Sequence, residues 1–486
     1  MMDGLNGFLT GKSLCTLGLA CLLAAGAAVR AQDQGGLPSA PTPSATLMRG
    51  PYRVQQATPE PLSLGLDDAI ARGVAENLQI KLARANELTV HGSILSVGNA
   101  LLPNMQVVGV TQAQEIDLAA EGFKGSNLAA AGFTGTFNPI VKVNTTSLEL
   151  TLSQQLFNVP AYYLFRAAQR AERGAELTTL NVEGGVVLEV GTYYLRALAD
   201  SAQIENARAL ELEDREILRQ ATESHDAGVG TNLDVLRARV QLQTQQQVLI
   251  SAENTFEKDK IALNRQIGLP ADQEITLTDT VPYAEYATMP LSDALALAYQ
   301  RRKDLLNLEA QIDIATETRK AVRAQRYPTV AVGGYYGVVG VTTGLYHGSF
   351  VAEGTVQVPL FMEATLRGQN EVAGAQLTAL RQQEASLKVT VDEQIRSAML
   401  DVQSASDLVK VARSNVDLAS QALRDATDRY SAGVDDNLPV VQAQATLANA
   451  QSRLVETLYQ YNQSKLTLAR NTGVVETQYK TYLGRQ

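Results

Sequence analysis

Histidine is the side chain most often recruited as a general base or metal ligand, and this 486-residue sequence holds three: His91, His225 and His347. They lie far apart, and none sits at the spacing of a metal site or a nucleophile–base pair. Both cysteines, Cys15 and Cys21, fall within the first 31 residues, and no Gly-rich phosphate loop follows a strand. No catalytic residue, cofactor or metal is expected, so the reading is of a protein that is not an enzyme. The spacing that carries information is of another kind. "AGVGTNLDVLRARVQLQTQQQ" begins at Ala227, and "AGVDDNLPVVQAQATLANAQ" begins at Ala432.

Each stretch reads as a tight turn between two helices. Gly228 can end the first helix by taking positive φ. Thr231 and Asp234 then have capping-box spacing for the next helix. The second copy keeps Gly433 and Asn437. It offers Asp436 or Asn437 as the cap, with Pro439 in the first turn, where a missing N–H is harmless.

The elements that position these turns form a duplicated unit. Leu66, Asp68, Ala69, Pro103 and Gly109 recur 225 residues later as Leu291, Asp293, Ala294, Pro328 and Gly334. From Val186 to Gly268 the offset becomes 205 without a gap, pairing Leu195 with Leu400, Arg208 with Arg413, Gly228 with Gly433 and Gly268 with Gly473. Two units of one plan are implied: residues 63–280 and 281–475, each helix, strand, loop, strand, long helix, turn, helix. A Pro-rich segment, Leu269–Pro290, joins them, and 476–486 is left as a C-terminal tail. No proline falls between Pro160 and Pro270, so a helix from Ala161 to about His225 would run close to 100 Å. Val235, Leu242, Leu249, Phe256 and Leu263 recur every seven residues, as do their mates Val440, Leu447, Leu454, Tyr461 and Leu468. That period marks coiled-coil packing.

Upstream, Lys12 precedes an apolar run from Leu14 to Val29, with small residues at Val29 and Ala31. This reads as a secretory signal over residues 1–31, followed by a Pro/Ser/Gly/Gln-rich flexible leader over 32–62. The competing reading, acylation of Cys21, has Gly18 where a leucine is usual. The net charge of −10 and the absence of a basic block exclude nucleic acid as a partner. Trp is absent and aromatics make up 5%, which suits helices packed through small side chains.

Ser147–Ser153 alternates strictly, with Leu148, Leu150 and Leu152 on one face and Ser147, Glu149, Thr151 and Ser153 on the other. The second unit sets Ala352, Gly354, Val356 and Val358 against Glu353, Thr355, Gln357 and Pro359. Period two with one apolar face signals a half-buried strand. Softer strands precede each, Asn104 to about Gln114 and Thr329 to about Gly340. The loops between them span roughly Glu115–Lys142 and Val341–Ser349. Alternation alone fits an ordinary soluble sheet; four strands of about ten residues also suit a tilted bilayer crossing, but four are too few to close a membrane barrel alone. Three chains would give twelve.

The whole pattern from Leu62 to Val475 resembles the TolC-type outer-membrane efflux protein family (the outer membrane factors). It is carried by the duplication, by "ALLPNMQVVG" beside "QRYPTVAVGG", by the two turns, and by "ALNRQIGLP" and "TLARNTGVV" at the helix ends. The resemblance implies an α+β membrane protein: a homotrimer with a 12-stranded β-barrel joined to a periplasmic α-helical barrel. It implies outer-membrane lipid, a periplasmic adaptor and, through the adaptor, an inner-membrane transporter as partners. The turns would then be periplasmic tips that dock the adaptor, through Ala227, Gly228, Val229, Gly230, Thr231, Asn232 and Asp234, and through Ala432, Gly433, Val434 and Asn437. In some relatives acids on the helix after the second tip ring the closed entrance. Pro439 and Gln442 stand at those positions here, which leaves Asp435 and Asp436 as candidate gate residues or as solvated caps. Glu149, Thr151, Glu353 and Thr355 would face the lumen. The rival reading is a periplasmic coiled-coil adaptor or scaffold, which would explain export and heptads but not four symmetrically placed strands.

Overall fold

The computed structural model describes residues 58–120, 140–280, 283–286, 289–342 and 344–484. The expected signal, Cys21, the leader up to residue 57 and residues 121–139 of the first interstrand loop lie outside the described residues.

The first unit opens with strand β1 (Leu62–Leu64) and helices α1 (Leu66–Glu76) and α2 (Leu78–Asn99). Strands β2 (Asn104–Asp117) and β3 (Ile140–Phe157) follow, then the long helix α3 (Val159–Asp226) and its return helix α4 (Asn232–Gln266). Strand β4 (Ile275–Leu277) lies in the connection. The second unit repeats the order with α5 (Leu291–Arg301), α6 (Lys303–Ala324), β5 (Thr329–Val341), β6 (Tyr346–Gln357), α7 (Glu363–Ser431) and α8 (Leu438–Asn471). A last helix, α9 (Val475–Leu483), closes the chain.

The strands run longer than expected. They hold 14, 18, 13 and 12 residues in β2, β3, β5 and β6. Pairing continues past Gln114 to Asp117↔Ile140, so both ends of the expected first loop belong to the ladder. Likewise β6 starts at Tyr346, inside the expected second loop, and ends before Pro359. Ladder hydrogen bonding drives this extension, because each added pair satisfies backbone groups whatever the side chains are. The leader and tail readings change too. Thr58 N–H donates to Gln273 Oε1 (2.7 Å), and α9 docks on α1 where Tyr479 Oη donates to Asp67 Oδ1 (2.6 Å).

At 68 and 69 residues, α3 and α7 are each about 100 Å long, and helices of that length need partners throughout. Partners line α3 along its whole length, and α6 packs beside α2 on the half near the sheet, where Asn307 Nδ2 donates to Gly174 O (3.0 Å). Antiparallel α2 covers the half near the sheet, with Arg84 on Glu183 (2.9 Å), and α4 covers the far half, with Arg208 on Glu253 (2.7 Å). In the middle sits the main core, where α1, β1, β4 and α9 meet α3, α7 and α8 around Val190, Tyr194, Val402, Tyr461 and Leu466. Of the heptad positions, Val235, Leu263, Val440, Leu447, Tyr461 and Leu468 are buried, whereas Leu242, Leu249, Phe256 and Leu454 are half-buried. Gln444, Asn462 and Lys465 are buried beside them, because α8 packs on α3 as well as on α7.

One buried acid has a pH consequence. Asp200 is 8% exposed, and burial first, with Asp259 beside it, pushes its carboxyl up to about 7 against the opposing pull of Arg196. The folded chain therefore holds a proton there that the unfolded chain releases near pH 4. Stability from this group is fully present below that pH and is lost as pH rises toward 7. Replacing Asp200 with Asn should raise the unfolding midpoint at neutral pH. The gain should shrink steadily as pH falls to about 4, as a melting series across that range would show.

Candidate functional site

Two regions bear on function: the sheet at one end of the long helices and the turns at the other. The sheet has strand order β2-β3-β5-β6, antiparallel throughout. Its register aligns Glu149 with Val108 and Gly337, Thr151 with Gln106 and Tyr335, Glu353 with Gly333, and Thr355 with Ala331. Directly opposed residues share a face, so the four expected polar-face residues lie on one side. Asn104, Gln106, Gln112, Ser147, Ser153 and Gln357 lie there too.

The other face is apolar: Met105, Val107, Leu148, Leu150, Leu152, Tyr336, Val338, Phe350 and Val356 are all exposed, Phe350 by 75% and Tyr336 by 72%. From Val356 to Tyr346 the face runs roughly 34 Å along the strand, or roughly 25 Å at the ~40° tilt of a membrane barrel. It ends in polar chemistry. Thr111, Thr146 and Thr342 form a hydroxyl ladder with 3.1 and 3.2 Å spacings, and beyond it Lys142 pairs with Glu115 (3.1 Å). Aromatic rings flank the band, Tyr346 at one end and Phe157 and Phe361 at the other.

At the first turn, Ala227 caps α3 and Gly228 takes φ 76°. Val229 and Gly230 both donate to Ser224 O (2.9 Å). A side chain at Gly230 would lie 2.9 Å from Ser224 Cβ, so this close approach needs glycine. Thr231 caps α4 in a full capping box: Asp234 N–H donates to Thr231 Oγ1 (3.2 Å) and Thr231 N–H to Asp234 Oδ2 (3.3 Å). Asn232 is the first helical residue.

The second turn starts the same way, with Ala432 as cap and Gly433 at φ 73°, and then departs. Asp435, standing where the first turn has Gly230, accepts from Arg429 Nε (2.7 Å). Asp436 accepts from Leu438 N–H (3.2 Å) and from Arg237 Nη1 on α4 (3.2 Å). Asn437 makes no capping bond. It is fully buried, and its Nδ2 donates to Asp234 O of the first turn (2.8 Å). Of the two expected caps, Asp436 serves and Asn437 does not, because its amide is turned toward the neighbouring turn. Arg237 and Arg429 were not anticipated, since a pairing between hairpins leaves no local spacing to read. Val229 and Val434 project outward, 83% and 66% exposed.

Behind the turns, Ile217, Ala221, Val235, Ala238 and Val440 form a small core across three helices, with Leu423, Ala426 and Tyr430 of α7 against it. One layer further up, Asp214 and Gln444 interrupt the apolar seam at 2% exposure each, and burial raises Asp214 to about 6. The three histidines are scattered over α2, the end of α3 and β6. Among the described residues no group of three or more His, Cys, Asp or Glu is placed to hold a metal ion, and no helix is long and apolar enough to cross a membrane.

The family model for outer membrane efflux proteins matches residues 70–269 and 294–474. The chain belongs to the outer membrane efflux protein family. This efflux-family chain is 20% identical to the outer membrane protein TolC of Escherichia coli over 352 residues, covering 70% of the chain and 71% of the relative. It is 23% identical to the pyoverdine export outer membrane protein OpmQ of Pseudomonas aeruginosa, covering 80% and 81%. Its fold matches the CmeC outer membrane channel of Campylobacter jejuni with a TM-score of 0.70 at 15% identity, over 84% of this chain and 86% of that one.

The turn geometry yields a test. Asn437→Ala removes the one buried hydrogen bond described between the two turns, at a cost of about 1.5 kcal/mol. Amide hydrogen exchange should rise roughly tenfold or more around residues 225–236 and 430–440, with little change in the main core.

Proposed function

We propose that this chain is an outer-membrane exit duct of a tripartite efflux or type I secretion system. The observation that carries the reading is the sheet: an exposed apolar face about as tall as a membrane barrel's lipid-facing band, on strands whose outer edges have no ladder partner among the described residues. In lipid those edges must pair. Pairing β6 of one copy with β2 of the next, in three copies, closes a ring of twelve strands. The apolar face then meets lipid, and Glu149, Thr151, Glu353 and Thr355 face the lumen. The long helices continue the duct into the periplasm as a helical barrel, and the duplication makes three chains behave as six near-equivalent hairpins. A coiled-coil scaffold leaves the exposed apolar face without a purpose.

The two turns of each chain are the periplasmic tips. In this reading Val229, Val434 and the surrounding turn residues meet the adaptor, which connects the duct to an inner-membrane transporter. Asp435 and Asp436 lie at the entrance, held by Arg429 and Arg237. The Arg237–Asp436 pair ties one hairpin to the other within a chain, so it works as a latch. An exposed pair of this kind is worth at most about 1 kcal/mol, which suits a contact that must open.

Two measurements test the proposal. Light scattering of the mature protein, extracted from outer-membrane fractions in mild detergent, should give a particle of three chains; a detergent-independent monomer or dimer refutes the duct. In planar bilayers, Arg237→Ala should open the tips and raise single-channel conductance above wild type. Unchanged conductance would remove this pair from the gate.

A further inference from the structure

The polar face of the sheet has an uneven charge inventory. Among the described strand residues it holds two carboxylates, Glu149 and Glu353, and no lysine or arginine. The sheet's one basic residue of that kind, Lys142, lies on the opposite face and is already paired with Glu115 (3.1 Å). The rest of the polar face is amide, hydroxyl, glycine, valine and a few other uncharged groups, with His347 near the β5–β6 turn.

The two acids share a setting. Each is level with a glycine of β5: Glu149 with Gly337 and Glu353 with Gly333. A Cβ at Gly337 would lie 3.0 Å from Glu149 Cγ, and one at Gly333 would lie 3.6 Å from Glu353 Oε1. The side chains thus lean over β5 from both sides, above positions with no side chain to cover them. Tyr335 falls between the two glycines on the same face, level with Thr151 and Val351. The resulting strip reads carboxylate, phenol ring, carboxylate, with about 7 Å between successive levels.

We propose that this strip is a charge filter, and that Glu149, Glu353 and Tyr335 bias the duct toward cationic solutes and against anionic ones. The inference rests on the trimeric duct reading, in which three copies give six lumenal carboxylates in two tiers about 13 Å apart along the strands. Rings of acidic side chains are a recurrent device for admitting cations, and an aromatic face between them adds affinity for organic cations. Twelve strands about 4.8 Å apart and tilted ~40° enclose a lumen roughly 24 Å across between backbones. Wall charges therefore reach the axis when the Debye length exceeds roughly 12 Å, which holds at about 0.01 M salt and fails at about 1 M. The filter is a low-salt property of a wide pore.

The test is a reversal-potential measurement on the purified trimer in planar bilayers, under a KCl gradient of about 5 to 50 mM. The wild type should prefer K⁺, and E149Q/E353Q should lower the K⁺:Cl⁻ permeability ratio by about twofold or more. Thr355→Glu, which adds a carboxylate to the same face and does not depend on the first variant folding, should raise it. An unchanged ratio in either well-conducting variant overturns the filter. A wild-type protein that forms no channel overturns the duct reading itself and the filter with it.

Discussion

A four-stranded antiparallel sheet leaves half the backbone groups of its first and last strands without a ladder partner, and among the described residues those strands are β2 and β6. The constraint becomes severe because one face of the same sheet is a continuous apolar surface. Water would satisfy the edges but not the face, and lipid would satisfy the face but not the edges. Closure with further copies, as proposed, answers both demands. The rest of the chain is consistent with that requirement: each strand pair is entered from one helix, α2 or α6, and left into a long one, α3 or α7, so closing the strands would also gather the helices.

The duplicated plan distributes this arrangement evenly, while small departures from it do specific work. Gly230 and Asp435 occupy equivalent positions, 205 residues apart. Glycine lets the first turn close tightly on Ser224, whereas aspartate in the second recruits Arg429. The shift moves the start of α8 by one residue relative to α4, since α4 starts at Asn232 and α8 at Leu438 rather than at Asn437. Freed from the helix, Asn437 reaches across to Asp234.

Much of this was legible in sequence because the signals were local or periodic. Glycine at 228 and 433, the Thr231–Asp234 box, the heptad seam and the alternation around Glu149 each follow from a short-range rule, and the turn backbones, the buried seam and the shared polar face have that form in the structure. Strand lengths were underestimated because the extra residues, such as Glu115 and Lys142, carry no alternating pattern and are held by backbone pairing. The contacts between hairpins, Arg237 with Asp436 and Asn437 with Asp234, were invisible because they join residues about two hundred positions apart. The buried polar residues Asp200, Asp214 and Lys465 were likewise hidden, since only the packing of three helices takes them out of water.

Those buried polar groups lie in a mechanical context. The apolar layers around Leu210, Ala419 and Leu447 and around Ile217, Val235 and Val440 are separated by the layer holding Asp214 and Gln444. An apolar seam resists separation in proportion to the area buried, and a polar layer within it lowers that resistance locally while fixing register. The segment beyond the layer is held by a five-residue core, one buried amide bond and exposed ion pairs. The far end of the hairpins therefore has far less apolar burial than the central core. If the chain opens and closes at the turns, the displacement will concentrate there, leaving the central core around Tyr194 and Tyr461 as the fixed frame.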